Sequence, residues 1–364
     1  MSTLKVEVVA LDAVLPHPNA DRLELAQIRG WQCVVPKGVY KAGDRAVYFP
    51  IDSILPQKIE ERLFSPDAKV KLTKSRVRTI KLRGAISQGL LASLTELDLN
   101  THLKDGFDLT EELGVMRYEP PEDGTLQGQA GAASRKQVNP YFHKYTEIEN
   151  FKNYPGLFLE NEEVVVLEKI HGTNFRAGWV PFYAHTWWQR LRRWAGLAPE
   201  WQFVYGSHNV QLQTKFTYSG FYGSDVYAEA VKNYNLTAVL RPGEVVYGEI
   251  YGCGIQKGYR YGCATNERRL AVFDLKRNDM YLNFGRVIAW CIERGLPHVP
   301  VLQCGFYRGP DRLKEYASGS STLGPELREG VVIKPLIETT TFMGRKILKL
   351  KNDEFLLKVE DNTH

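Results

Sequence analysis

The sequence of 364 residues has no long apolar run: none approaches the roughly 20 residues a membrane-spanning helix needs, so no membrane partner is expected. Its opening stretch, "MSTLKVEVVALDAVLPHPNA", holds no uninterrupted apolar segment of the secretory kind, so export is not expected either. Cysteine is scarce. The five cysteines, at 33, 253, 263, 291 and 304, are odd in number and form no C-x-x-C pair. That pattern argues against a zinc site and for reduced thiols in an intracellular, cytoplasmic setting. The eight histidines show neither H-x-x-x-H nor H-E-x-x-H spacing. No G-x-x-x-x-G-K-[ST] occurs, so a Walker loop is not what would hold a nucleoside triphosphate. "GCGIQKG" (252–258) has three residues between its last two glycines rather than two, and no βαβ surroundings, which excludes a dinucleotide fold. No internal repeat is visible.

What is present is an ordinary globular composition, 43% hydrophobic and 24% charged with a net charge of +5, divided unevenly along the chain. The first 115 or so residues read as short strands broken by Gly, Pro and Asp, as in "GDRAVYFPID" and "TIKLRGAISQGLLASL", which predicts a small barrel. "YEPPEDGTLQGQAGAASRKQVNP" (118–140) then loses all periodicity and reads as a flexible linker. From Tyr141 the composition is globular again, with aromatic-rich strands and helices expected near 225–234 and 284–294. The expected organisation is a barrel over 1–117, a linker over 118–140 and a second domain over 141–364.

Charge is concentrated in "KVKLTKSRVRTIKLR" (69–83), which holds seven basic residues and no acid. Residues two apart share a face of a strand, so Lys69 with Lys71, Arg76 with Arg78, and Lys81 with Arg83 each project together. The parity slips between Arg78 and Lys81, which predicts a bend or bulge. Such a row is either a charged sheet edge or a face that tracks phosphates, and the self-repulsion of seven cations favours phosphates. A second segment, "AHTWWQRLRRWAGLAPEW" (184–201), gathers four of the seven tryptophans with three arginines. Helical spacing would put Trp187, Leu191 and Trp194 on one side as a packed amphipathic lid; the other reading is an RNA grip by rings and charge.

"HPNADRLELAQI" (17–28) and "SQGLLAS" (87–93) resemble the OB-type tRNA-binding module appended to some aminoacyl-tRNA synthetases, which implies a fold rather than an activity.

The second half carries the chemistry. "VVVLEKIHGTN" (164–174) is a buried-type strand that delivers Glu168, Lys169 and His171 at its end. "VVYGEIYG" (245–252) places Glu249 between aromatic rings, and "LAVFDL" (270–275) offers Phe273. "REGVVIKP" (328–335) opens on Glu329 and closes on Lys334; "KILKLKND" (346–353) sets Lys349 and Lys351 on one face. Taken singly, each is a surface charge on a strand. Together they suit phosphorus chemistry. A lysine nucleophile must lose its proton although its free pKa is about 10.4, and neighbouring cations or a metal assist. Lysines hold phosphate oxygens, carboxylates retain a divalent cation, a ring stacks on a base, and a glycine lets phosphate approach the backbone.

In this order, "EKIHGTN", "YGEIYG", "VFDL", "EGVVIK" and "LKLK" resemble the motif series of ATP-dependent RNA ligases of the covalent nucleotidyltransferase superfamily. The K-x-H-G form and the N-terminal OB domain resemble the family-5 type in particular. The resemblance implies an α+β chain: a β-rich OB-fold barrel, then a nucleotidyltransferase domain of antiparallel sheets with flanking helices. It implies ATP and Mg2+ or Mn2+ as cofactors, and RNA as partner, with nicked duplexes carrying an RNA 3′-OH strand as substrate. Lys169 would become adenylylated; Glu168 would contact adenine and Phe273 stack on it. Glu249 would meet the ribose or a metal-bound water, and Glu329 would hold the water shell of the cation. Lys349 and Lys351 would grip the α-phosphate, with Lys334 nearby, while His171 and Asn174 shape the nucleotide site. Thr173 is a candidate contact for RNA ends. "YGSHN" (205–209) departs from the family pattern, offering Ser207, His208 and Asn209 where an arginine is often found. Asp274 reads equally as a turn cap. An mRNA capping guanylyltransferase, a DNA ligase and a non-catalytic RNA-binding protein stay as alternatives. The short stretch after Lys351 predicts no further OB domain, which speaks against the first two.

Overall fold

The computed structural model describes residues 4–64, 71–118, 138–212 and 225–361. Lys69 and almost all of the stretch read as a linker lie outside the described residues. The described residues form two compact units. One takes in residues up to 118 with 149–156 and 353–361; the other takes in 138–148 and 157–352.

In the first unit the strands, in chain order, are β1 (Glu7–Ala10), β2 (Ala13–Pro16), β3 (Leu23–Ile28), β4 (Trp31–Pro36), β5 (Arg45–Phe49) and β6 (Ser53–Ile54). There follow β7 (Thr79–Leu82), β8 (Ala85–Gln88), β9 (Leu90–Ser93), β10 (Met116–Arg117) and β11 (Glu149–Asn150). Antiparallel sheets run β1-β5-β9 and β2-β3-β4, with β7 and β8 as a hairpin. Alternation builds the core: in β4, Trp31, Cys33 and Val35 point inward while Gln32 and Val34 do not. The hairpin turns on Arg83 and Gly84, both at positive φ (49° and 95°), as a two-residue turn demands.

The bend expected between Arg78 and Lys81 is not there. The chain reverses earlier, at Lys74 and Ser75 (φ 54° and 56°), and β7 starts only at Thr79, so the parity slip marks the strand's beginning. The row of cations is also not free of counter-charge, since Arg76 pairs with Asp52 and lies over the Tyr118 ring at 3.7 Å.

The unit is completed from far along the chain. Lys152 Nζ, buried, donates to Gln88 Oε1 at 2.7 Å and pairs with Asp353 at 3.1 Å. The Trp31 indole donates to Asn153 at 2.8 Å.

In the second unit β12 (Glu163–Lys169), β13 (Thr173–Pro181), β14 (Trp201–Gly206), β15 (Gln211–Leu212) and β16 (Glu244–Gly252) come first. After them come β17 (Arg268–Arg277), β18 (Met280–Tyr281), β19 (Val301–Phe306), β20 (Gly330–Pro335), β21 (Thr340–Thr341), β22 (Gly344–Arg345) and β23 (Leu348–Lys351). Six antiparallel strands run β15-β14-β13-β16-β17-β18, and a second antiparallel sheet contains β23-β20-β12-β19. The sheets pack through Val180, Val204, Val245 and Tyr247 from one and Val332 from the other, with Tyr145 and Ile347 between. Helices Val226–Asn233 and Phe284–Glu293, close to the expected spans, cover the outer face of the larger sheet with Val226, Ala230, Val287 and Trp290. The first is capped by the Asp225 carboxylate, which accepts from the Tyr227 and Ala228 amides.

The Trp/Arg segment forms a helix, Trp187–Trp194, with a reciprocal cap between Thr186 and Gln189. It is not a packed lid. None of its residues is buried, Trp194 is 85% exposed, and Trp187 stacks on Trp188 at 3.7 Å. The helix begins beyond Pro181 and Trp201, the last pair of the β13–β14 ladder.

Candidate active site

Lys169 is the last residue of β12, a strand whose Val164–Leu167 segment is wholly buried between β19 and β20. Burial on both faces fixes the strand, and its end aims the ammonium at the place where residues 170–172 turn the chain into β13 of the other sheet. That turn is drawn tight against β16. A Cβ on Gly172 would lie 2.3 Å from the Ile250 carbonyl oxygen and 2.7 Å from Glu249 Cγ. The glycine expected to admit a phosphate is thus already required by the neighbouring strand.

Lys169 Nζ donates to Glu329 Oε2 at 2.8 Å, and Lys351 Nζ stands 3.5 Å from the other oxygen. Register brings them together: Gly330, next to Glu329, lies opposite Lys169 in β12 and opposite Lys351 in β23. Gly330 has φ of 151°, and a Cβ there would meet the Leu350 carbonyl oxygen at 2.1 Å, so only glycine lets β23 close in. Asn174 faces Glu249 across the β13–β16 ladder.

Burial lowers the pKa of the Lys169 ammonium, but the Glu329 and Glu249 carboxylates outweigh it, and the lysine sits above its ordinary value. For Glu329, burial works upward, yet Lys169 and Lys351 bring its carboxyl down to about 2. At Glu249 burial wins against Lys169, and the carboxyl is pushed up to about 8. His171, whose Nδ1 is 4.0 Å from Glu329, is lowered to about 4 chiefly by burial and is neutral near pH 7.

Beside this cluster a cleft opens, with about 600 Å³ of empty space counting its solvent-filled mouth. Lys169, Asn174, Glu249, Phe273 and Lys334 line it, with Ile170, Val299, Val332 and Ile347 as apolar wall. Those walls, the Phe273 ring and the buried Asn174 Oδ1, which has no hydrogen-bond partner, suit a flat heteroaromatic ligand carrying polar groups. For a metal, the donors on hand are the Glu249 and Glu329 carboxylates and Asn174 Oδ1, all hard oxygens. Among the described residues no group of three or more His, Cys, Asp or Glu could hold a metal. Two carboxylates fit a magnesium-like ion that keeps its waters and borrows phosphate oxygens.

The remaining expected site residues are more scattered. The Glu168 carboxylate is held by the Ser321 hydroxyl and by the Thr322 amide (3.0 Å) and hydroxyl (2.8 Å), with Arg328 Nε at 3.5 Å; its part of the cleft wall is thus left to its backbone. Lys334 is 1% exposed and lies 3.2 Å from Asp274. Lys349 shares a strand face with Lys351, opposite Val332, and stands outside the cleft lining. The Thr173 hydroxyl meets the Tyr227 hydroxyl at 3.0 Å. His208 Nε2 lies 3.3 Å from Glu147, and the Ser207 carbonyl accepts from buried Arg176.

Asp274 is no turn cap. It is fully buried in β17, paired with Lys334 and with Arg345 (2.8 Å), and accepts the Tyr145 hydroxyl at 2.8 Å. The Tyr145 ring in turn meets Phe273 edge-on at 4.8 Å. Sequence reasoning missed Tyr145, Arg345, Ser321 and Thr322. Only Asp274 left a signal, an acid inside the apolar run "LAVFDL" (270–275).

Residues 162–351 match the RNA ligase family, and residues 5–94 match an OB-fold domain. No curated protein matches by sequence. Among solved structures, a Naegleria gruberi RNA ligase mutant in the apo state is 23% identical with a TM-score of 0.74, covering 99% of this chain and 100% of that one. A mutant of the same ligase with ATP and Mn is 22% identical at a TM-score of 0.76, covering 99% and 100%. The same ligase with PPi is 22% identical at 0.74, covering 99% of each chain. The shared architecture is that of an OB-fold domain joined to an α+β catalytic domain of antiparallel sheets.

Proposed function

We propose that this chain, which belongs to the RNA ligase family, seals 3′-OH/5′-phosphate RNA ends with ATP through a lysyl-AMP on Lys169. Its preferred substrate is a nick in a duplex whose 3′-OH strand is RNA. The observation that carries the reading is Lys169 itself: a lysine aimed by a buried strand into a cleft, ion-paired with Glu329 and close to Glu249.

In the first step Lys169 Nζ attacks the α-phosphorus of ATP; an N–P bond forms, the bond to the bridging oxygen breaks, and pyrophosphate leaves. The AMP then passes to a 5′-phosphate RNA end, and a 3′-hydroxyl displaces it. All three steps are in-line transfers at phosphorus, so positioning and charge neutralisation are the site's tasks. Phe273 and the apolar wall take the base; Lys351, Lys349 and Lys334 face phosphate charge. Glu249 and Glu329 would hold a divalent cation, Mg2+ or Mn2+, with Asn174 beside them, and the ion would supply positive charge to the phosphate oxygens. Lys169 rests as an ammonium paired with the Glu329 carboxylate. Once that carboxylate is neutralised, burial is left to lower the lysine's pKa, so the nucleophile is armed only in the loaded site.

The test is intact mass after incubation with ATP, GTP or neither, with magnesium or manganese, on protein first treated with pyrophosphate. A gain of about 329 Da with ATP, absent in Lys169→Ala, is the expected lysyl-AMP. A GMP adduct would mean a capping enzyme instead. No adduct under any condition would mean a nucleic-acid-binding protein with a silent site.

A further inference from the structure

We propose that Tyr261, Gln256 and Glu326 are positioning residues that fix the line of approach of Lys169, by way of a buckle between the β16–β17 loop and the turn after the nucleophile. The inference rests on the adenylylation just proposed and adds to it the parts that hold the nucleophile still.

The loop grips the turn at three points. The Tyr261 hydroxyl accepts the His171 backbone N–H at 2.8 Å. The Gln256 side-chain amide donates to the Gly172 carbonyl at 2.9 Å. The Tyr259 ring stands perpendicular to the His171 imidazole, centroids 5.0 Å apart. Lys169 ends its strand, so the backbone two and three residues downstream helps to decide where its Cα sits.

The loop is itself held in a costly shape. Tyr261, 1% exposed, has φ of 54°, a left-handed conformation that an aromatic residue adopts only when its surroundings impose it. The imposing group is Glu326, whose Oε1 accepts both the Arg260 and the Tyr261 amides at 2.9 Å. Gly324 closes the contact, because a Cβ there would stand 2.9 Å from Tyr261 Cα and 2.9 Å from the Gly262 nitrogen.

Glu326 belongs to a segment that touches the nucleophile from both sides. Ser321 and Thr322 hold the carboxylate of Glu168, the residue before Lys169. The Ser321 amide donates to the Glu326 carbonyl at 2.7 Å, and Glu329 pairs with Lys169. Residues 321–329 therefore fasten position 168 directly, 169 through its ammonium, and 171 and 172 through the loop. A reacting nitrogen needs about 3–3.5 Å and alignment to the phosphorus, and a misplacement of about 1 Å costs on the order of a hundredfold. This frame supplies the alignment.

The experiment is single-turnover adenylylation with ATP affinity measured separately, on wild type, Tyr261→Phe, Gln256→Ala, Glu326→Ala and Glu326→Gln. Tyr261→Phe and Glu326→Ala are expected to slow the rate constant on the order of tenfold to a hundredfold. ATP affinity and the pH midpoint of the rate should stay put, since Glu329 and Glu249 set the lysine's pKa. Glu326→Gln keeps an acceptor oxygen and is expected to restore most of the rate. Gln256→Ala, at a half-buried position of the loop, gives the reading if Tyr261→Phe does not fold. Variants as fast as wild type, a loss that tracks ATP affinity, or a Glu326→Gln as slow as Glu326→Ala would overturn the buckle alone. A wild type that forms no adduct would overturn the proposed function and the buckle with it.

Discussion

Lys169 and Glu329 lie 160 residues apart in the chain and 2.8 Å apart in space, with Lys351 sharing the same carboxylate. The proposed nucleophile, the acid paired with it and the cation that competes for that acid come from three strands or strand ends joined by Gly330. The shared carboxylate couples the charge of Lys169 to that of the cleft around it.

Lys169→Ala is expected to abolish lysyl-AMP formation while the protein still folds. Glu329 keeps Lys351 as partner, so the loss of stability should be about 1–3 kcal/mol. Urea unfolding checks the second part, and intact mass checks the first.

Glu249 titrates at about 8 in the folded protein, above the ordinary carboxylate value of 4.5, because it is buried. The folded state therefore holds this proton more tightly than the unfolded chain does. The stabilisation is full below about pH 4.5 and is lost as pH rises through about 8. Glu249→Gln should accordingly raise the melting temperature relative to wild type more at pH 8.5 than at pH 5. An unchanged difference across that range would show that the carboxyl is not held protonated.

The same proton has to leave before Glu249 can act as a ligand. Divalent-cation affinity is expected to weaken as pH falls below about 8, with release of a proton on binding near neutral pH. Calorimetry in two buffers of different ionisation enthalpy measures that release, and Glu249→Gln should remove it.

Asp274→Ala would leave Lys334 a buried cation without its anion, while Arg345 would keep Glu338. Removing one partner from such a cluster costs about 3–5 kcal/mol. The prediction is a stability loss of that order, with poorer nucleotide binding because Tyr145 and Phe273 lose their footing; unfolding and ATP titration of the variant test both.

Trp194→Ser should change stability by no more than about 0.5 kcal/mol, because the ring is almost wholly exposed. A larger loss, seen by thermal melting, would mean that the helix face has a packing partner after all.

Much of the catalytic unit was legible because strands buried on both faces announce themselves. "EVVVLEK" and "EVVYGEIYG" are nearly continuous apolar runs, and the charged residues that interrupt or end them stand out. The two helices near 226 and 284 were legible as spans, while the Asp225 cap of the first emerged only from the structure. Partnership across sheets was not legible, since nothing local to Asp274 tells of Arg345, and nothing local to Glu168 tells of Ser321. The exposed tryptophan helix misled for a related reason. Amphipathic spacing says which residues share a side, and only the surroundings decide whether that side is covered.

The first unit is sewn from three separated lengths of chain, and the last of them, from Asp353 on, leaves the ribosome only after every strand of the catalytic unit has been made. Vectorial synthesis would otherwise let an N-terminal domain finish first. Here Asp353, the ion-pair partner of Lys152, is made only after β12 and β16 are ready to pair, so that contact is the last of the unit to become available.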